Sequence, residues 1–291
     1  MHNSTPLSAL RSLLLAQGLD GMIVPRADAH QSEDCTPHDN KLAWLTGFSG
    51  SAGLALVLRD RALMFVDGRY QVQVRNEVSL DDFEIHHLHD EPLADYLQAY
   101  VTSGARIGFE PLLMVNSQFE ALSATHCKLV PMERDPFDQI WLDRPAAPSG
   151  VIREMPVEIS GESSTHKRER IVEQLTQYQA DVLAITLPDN IAWLLNVRGA
   201  DLAMVPVPFR LPCSIAAANW SGLLIIIRRS NCPHHCWRRS RWPRKRVSLR
   251  AASSWRKENA SSLIKTTPRS RCALLLKDTA VTSYGPLTPL P

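Results

Sequence analysis

The sequence predicts a layered α/β fold for its first ~150 residues, an incomplete second copy of the same design, and a basic tail. Three observations support this. Apolar residues alternate between a helical period and short continuous runs, a strand-and-helix signature recurs, and the charge balance reverses after Pro208.

Leu7, Leu10, Leu13, Leu14 and Leu15 form a helical stripe that ends near Gly18, and 21–25 then reads as a short buried strand. A second helix is expected over 39–45, and 47–53 (Gly-Phe-Ser-Gly-Ser-Ala-Gly) is too glycine-rich for helix or strand. Residues 54–58 and 62–66 are strands joined by polar Arg59, Asp60 and Arg61, the pattern of a hairpin. Asp67-Gly-Arg-Tyr70 opens another helix, and 83–87 is a strand. Alternation continues through 93–100, 106–109, 117–122 and 128–132. Arg144-Pro-Ala-Ala-Pro-Ser-Gly150 reads as a linker, dividing a domain at 1–150 from a second at 151–208, with the tail at 209–291. In the second domain a helix begins near Thr165 and 181–187 is a strand.

Here the chain repeats itself. The strand near 19–25 leads to Asp39-Asn-Lys-Leu-Ala-Trp-Leu45, and that near 180–187 leads to Asp189-Asn-Ile-Ala-Trp-Leu194. Both copies place Asp-Asn where a side chain could cap a helix and a tryptophan, Trp44 or Trp193, where it should face the core.

Of the 32 Lys and Arg residues, sixteen follow Pro208, against only Glu258 and Asp278, so a net charge of +2 hides a front near −12 and a tail near +14. Six cysteines at no regular spacing argue against a disulfide framework and for a reducing compartment, with the cytoplasm expected. Arg11 interrupts the apolar N-terminal stretch and no small-residue cleavage site follows, so it reads as an amphipathic helix. No run reaches the ~20 apolar residues of a membrane span, and Leu223–Ile227 is far too short.

The run from Asp39 to Gly53, followed by Met64-Phe-Val-Asp-Gly-Arg-Tyr70, resembles the N-terminal domain of the Xaa-Pro aminopeptidases in their three-domain form. Asp28, His30, Ser32 and Glu33 match a motif preceding it in that family, and Pro188–Gly199 is similar to its second domain. The resemblance spans roughly residues 5 to 206. It implies two creatinase-like domains ahead of a catalytic domain whose two Asp, one His and two Glu hold two divalent metal ions, usually manganese. No part of that catalytic domain is recognisable here, so no catalytic residue, metal ligand or cofactor is assigned to this chain.

The resemblance also suggests an origin for the tail. Read one nucleotide out of frame, Ala218–Ile227 permits Gln-Leu-Val-Trp-Phe-Ile-Asp-His-His, which parallels the first copy's Arg61–Arg69, and Ser253–Cys272 and Thr282–Pro291 also permit second-domain sequence. A slip between about Met204 and Ile215 accounts for all three. The alternatives within the tail are weaker. Cys232-Pro-His-His-Cys236 lacks a second pair at finger spacing. Arg238, Arg239, Arg241, Arg244, Lys245 and Arg246, interleaved with Trp237 and Trp242, could meet phosphates and stack bases, although the wrong frame of a GC-rich gene also yields such runs.

Candidate residues in the front half are Asp67, Arg69 and Tyr70, where the guanidinium could reach a peptide carboxylate or a partner subunit, or merely pair with Asp67. Asp28, His30 and Glu33 lie on a loop after a strand, open to ligand contact or to a purely structural role as a loop anchor. Gly47, Gly50 and Gly53 lack the Lys-Ser/Thr of a phosphate loop, and Asp181 and Asp189 read as capping or solvated residues. The expected function is that of an N-terminal fragment of an Xaa-Pro aminopeptidase, inactive alone, whose first domain shapes the entrance for proline-containing peptides. The alternatives are a non-catalytic binding module that uses domain 1 to pair with a second copy or a full-length relative, and a basic nucleic-acid adaptor.

Overall fold

Helix α1 (Pro6–Ala16) opens with the Thr5 hydroxyl accepting the Ser8 N–H at 3.2 Å and Pro6 in the first turn. Its Leu7, Leu10 and Leu14 are buried, and Gly18, at φ 64°, turns the chain into β1 (Gly21–Pro25). The structure is a computed structural model and describes residues 5–178, 182–209 and 225–228. The tail motifs at 232–236 and 237–246 lie outside the described residues, as does Asp181.

Strands β2 (Leu54–Leu58) and β3 (Ala62–Val66) form the expected hairpin, in register from Leu54↔Phe65 to Val57↔Ala62. With β4 (Glu84–His87), β5 (Arg106–Phe109) and β6 (Lys128–Pro131) they make one six-stranded sheet of order β4-β3-β2-β1-β5-β6. Strand β2 is antiparallel to both neighbours, whereas the β3–β4, β1–β5 and β5–β6 pairs are parallel. Five strands therefore point the same way and deliver their carboxyl ends to one edge of the sheet.

Because the sheet is covered on both faces, its strands read as nearly continuous apolar runs. Met22, Val24, Val57, Met64 and Val66 face one core with α1, α2 (Lys41–Thr46), α3 (Gln71–Glu77) and α6 (Phe137–Ile140). Ile23, Leu56, Leu63 and Phe65 face the other, against α4 (Leu93–Tyr100) and α5 (Asn116–Ser123). Gly21 is needed where β1 passes between its neighbours: a Cβ there would lie 2.6 Å from Leu58 and 2.9 Å from the Val57 carbonyl oxygen.

The second copy is smaller. Strand β7 (Arg153–Glu154) and helices α7 (Val157–Ser160) and α8 (Ser164–Gln177) precede β8 (Val182–Ile185), α9 (Pro188–Leu195) and β9 (Val197–Arg198). The repeat is structural: α2 ends at Gly47 (φ 80°) and α9 at Asn196 (φ 53°), both left-handed, and β8 has an antiparallel partner as β1 does. That partner is β10 (Ile225–Arg228), an apolar run within the segment read as the basic tail.

Two expectations are corrected. Neither Asn40 nor Asp189 caps a helix through its side chain: α2 has no side-chain cap, Asp39 accepts from the Thr36 hydroxyl at 2.6 Å, and α9 starts after Leu187 with Asp189 already in its first turn. There the carboxylate faces the positive end of the helix dipole. Trp44 packs on the core as expected, but Trp193 is 43 % exposed. The linker segment 144–150 is docked: Arg144 is ion-paired, and the Gly150 N–H meets Asp201 Oδ1 at 2.6 Å.

Candidate functional site

The carboxyl edge of the sheet gathers the loops that carry every candidate residue. After β1, Asp28 is buried, and its Oδ1 accepts the N–H groups of His30 and Ser32, each at 2.9 Å. A short carboxylate can fold the next turn over itself in this way. His30 places Nδ1 3.0 Å from the Thr186 carbonyl oxygen, tying this loop to the segment after β8. Glu33 is exposed, and its carbonyl accepts from Arg26 at 2.9 Å. Arg26 also reaches Cys35 Sγ at 3.2 Å, but burial pushes that thiol up to about 12, so it is not a nucleophile at neutral pH.

After β3, Asp67 accepts the Arg69 N–H at 2.9 Å and pairs with its guanidinium at 2.8 Å. The Arg69 side chain is 67 % exposed and lies over the Tyr70 ring, 5.1 Å from its centroid. The Tyr70 hydroxyl meets Ser51 of the glycine-rich turn at 2.7 Å. The hydrogen bond from Arg69 holds Asp67 below its ordinary value. Arg69 is therefore both salt-bridged and presented to solvent, a geometry suited to a carboxylate ligand or a partner chain.

The loops after β5 and β6 hold what the sequence did not disclose. Lys41, only 4 % exposed, places its ammonium group on Glu110 and 2.7 Å from Asp135. Arg144 reaches the same Asp135 at 2.9 Å and Asp138 at 2.6 Å. Beside this network a cavity of about 510 Å³ opens, lined by Asp28, His30, His38, Glu110, Asp135 and Phe209 among others. Asp28 and His30 thus share one cavity with the ion network, while Glu33 and the Asp67–Arg69–Tyr70 cluster lie outside its lining. One signal for Lys41 was available: the first copy inserts a lysine where the second runs directly from Asn190 to Ile191.

Burial is the largest influence on Glu110 and pushes its carboxyl above the usual range despite Lys41. For Asp135 burial acts upward too, but Lys41, Arg144 and the Phe137 N–H together hold it below. The two contributions to stability have opposite signs. A raised folded-state value favours the fold while Glu110 is protonated, below about pH 4, and that contribution is lost as pH rises through the folded value. Asp135 contributes above about pH 4 and its contribution is lost as pH falls through its folded value. Glu110→Gln removes the first effect, so its stability relative to the parent should increase with rising pH; urea denaturation between pH 4 and 8 measures this, and a difference independent of pH would contradict it.

Residues 6–139 match the creatinase/prolidase N-terminal domain, and residues 143–215 match a second model of the same description. The front of the chain belongs to the creatinase/prolidase N-terminal domain family. Aminopeptidase P1 of Lotus japonicus is 35 % identical over 208 residues, covering 69 % of this chain and 32 % of that protein. The Xaa-Pro aminopeptidase ApepP of Drosophila melanogaster is 35 % identical over 216 residues, covering 70 % and 35 %. A crystal structure of X-prolyl aminopeptidase from Caenorhabditis elegans, described as a cytosolic enzyme with a di-nuclear active site, superposes with a TM-score of 0.64 at 30 % identity, covering 69 % of this chain and 36 % of that one. This creatinase-type chain therefore spans about a third of the length of the curated relatives it matches. Among the described residues no group of three or more His, Cys, Asp or Glu is placed to hold a metal ion, and no helix is long and apolar enough to cross a membrane.

Proposed function

We propose that this chain is the N-terminal portion of a cytoplasmic Xaa-Pro aminopeptidase, a hydrolase that releases the residue preceding proline, and that the 291-residue chain does not catalyse that reaction alone. The observation that supports the reading is similarity to such enzymes running through both creatinase-type domains at 30–35 % identity. In this reading the two divalent ions, usually manganese, belong to a further domain. Domain 1 shapes the substrate entrance, with Arg69, its partner Asp67 and stacked Tyr70 facing the peptide or a second subunit, and with the loop of Asp28, His30 and Glu33 beside them. The sequence after about residue 215 is then an out-of-frame continuation in which β10 happens to supply a usable apolar strand.

The test is release of the first residue from an Xaa-Pro-Yaa tripeptide by the full chain with Mn²⁺. No release above a metal-only control is expected, and proline-dependent turnover would overturn the reading. A second reading, a non-catalytic dimerisation module, is favoured by the exposure of Val157, Ile159 and Met204 in the second copy, at 48 %, 71 % and 91 %. Sedimentation of the full chain addresses it: a dimer at micromolar concentration supports a module, and a strict monomer counts against it.

A further inference from the structure

The cavity beside Lys41 lies where the strand order of the sheet reverses its sense. From β1 the chain runs through α2 to β2 on one side, and from β5 through α5 to β6 on the other. Between two such strands the connecting loops diverge and leave a crevice at the carboxyl edge. Asp28 lines this crevice, is 1 % exposed, and has both N–H donors of its loop on Oδ1. Its Oδ2 has no hydrogen-bond partner, nor does Glu110 Oε1 on the same lining. A buried acceptor left without a donor is destabilising, so a ligand bringing donors would offset a standing cost.

The remaining lining narrows the chemistry. Carboxylates from Asp28, Asp39, Glu110, Glu133 and Asp135 outnumber the cations Lys41, Arg134 and Arg144, and Lys41 and Arg144 are already engaged by Glu110 and Asp135. An anion would meet unpaired acceptors and be repelled. A metal ion is disfavoured, since no three liganding side chains converge among the described residues. Pro111, Leu113 and Met132 supply an apolar wall.

We propose that this cavity binds an organic cation, a primary ammonium group on a short aliphatic stem, with its N–H donors on Asp28 Oδ2 and its stem against the apolar wall. The charge supplies the discrimination, because a charge-assisted hydrogen bond is stronger than a neutral one. The site is separate from Arg69, which does not line the cavity.

The test is calorimetry of the full chain at pH 7 with n-butylammonium, butyrate and butan-1-ol. Saturable binding of the ammonium ion is expected, with no binding of butyrate and at least ~10-fold weaker binding of the alcohol. Asp28→Asn keeps Oδ1 for the loop but replaces the free acceptor with a donor, and should weaken the ammonium by ~10-fold or more. Arg69→Ala should leave it unchanged. Should Asp28→Asn fail to fold by circular dichroism, Glu110→Gln and the three-probe comparison on the parent chain carry the decision. Absence of saturable ammonium binding, equal binding of the alcohol, or full affinity in folded Asp28→Asn would each overturn the proposal.

Discussion

Replacing Lys41 with methionine destabilises the fold by about 3–5 kcal/mol at neutral pH, as expected when one partner of a buried ion pair is removed. Lys41 is 4 % exposed and Glu110 is 12 % exposed, so neither charge has water as a substitute partner. Asp135 keeps Arg144 at 2.9 Å, but Glu110 loses the ammonium paired with it, with Oε1 already lacking a hydrogen bond. The carboxyl should respond by taking up a proton, which is cheaper than remaining a lone buried anion. The penalty therefore shrinks on acidification from pH 7 towards 5. A Lys41→Met, Glu110→Leu double variant should recover most of the loss, since an apolar pair of similar volume needs no compensation. Urea denaturation followed by tryptophan fluorescence measures all three. A loss under ~1 kcal/mol, independent of pH, would mean that the pair behaves as a solvated surface bridge.

Phe137→Ala has an effect of similar size for a different reason, about 3–5 kcal/mol from lost burial and an unfilled cavity. The Phe137 ring is completely buried and meets Trp44 edge-on at 5.7 Å, and Trp44 stacks on Trp141 at 5.2 Å. Helix α6 has four residues, too few to form unaided, so this aromatic cluster and the Phe137 N–H bond to Asp135 at 2.9 Å hold it. Loss of the ring should release Asp135 from Lys41 as well, making the substitution partly non-additive with Lys41→Met. The neighbouring Leu142→Ala is the control: that side chain is 94 % exposed and should change stability by under ~0.5 kcal/mol. Equal effects at 137 and 142 would show that the cluster is not organised as described.

The sheet was legible because its evidence is local. Runs such as 54–58 and 62–66, broken by three polar residues, permit little but a hairpin, and the repeat at Asp39 and Asp189 locates two strand–helix units. The same pattern misplaced the helix starts, since an Asp-Asn pair favours a cap without requiring one, and Thr36 diverts Asp39. Helix α6 and the two-residue strands β7 and β9 fall below the length at which periodicity carries information. The ion network was hidden for another reason. Lys41, Glu110, Asp135 and Arg144 are distant in sequence, and a lone charge ordinarily reads as solvated. Trp193 shows the reverse error, an aromatic placed inside by analogy with Trp44 that the second copy leaves 43 % exposed under Lys167 and Arg170.

On the proposed reading the chain is the front of an Xaa-Pro aminopeptidase whose reading frame shifts near residue 210. The most direct test is to sequence the gene across codons 200–216 and translate every frame downstream. The account predicts an open frame that completes the second creatinase-type domain and continues into a domain carrying two Asp, one His and two Glu. Closed frames throughout, with the 291-residue chain recovered intact from cells, would contradict it and favour the non-catalytic module.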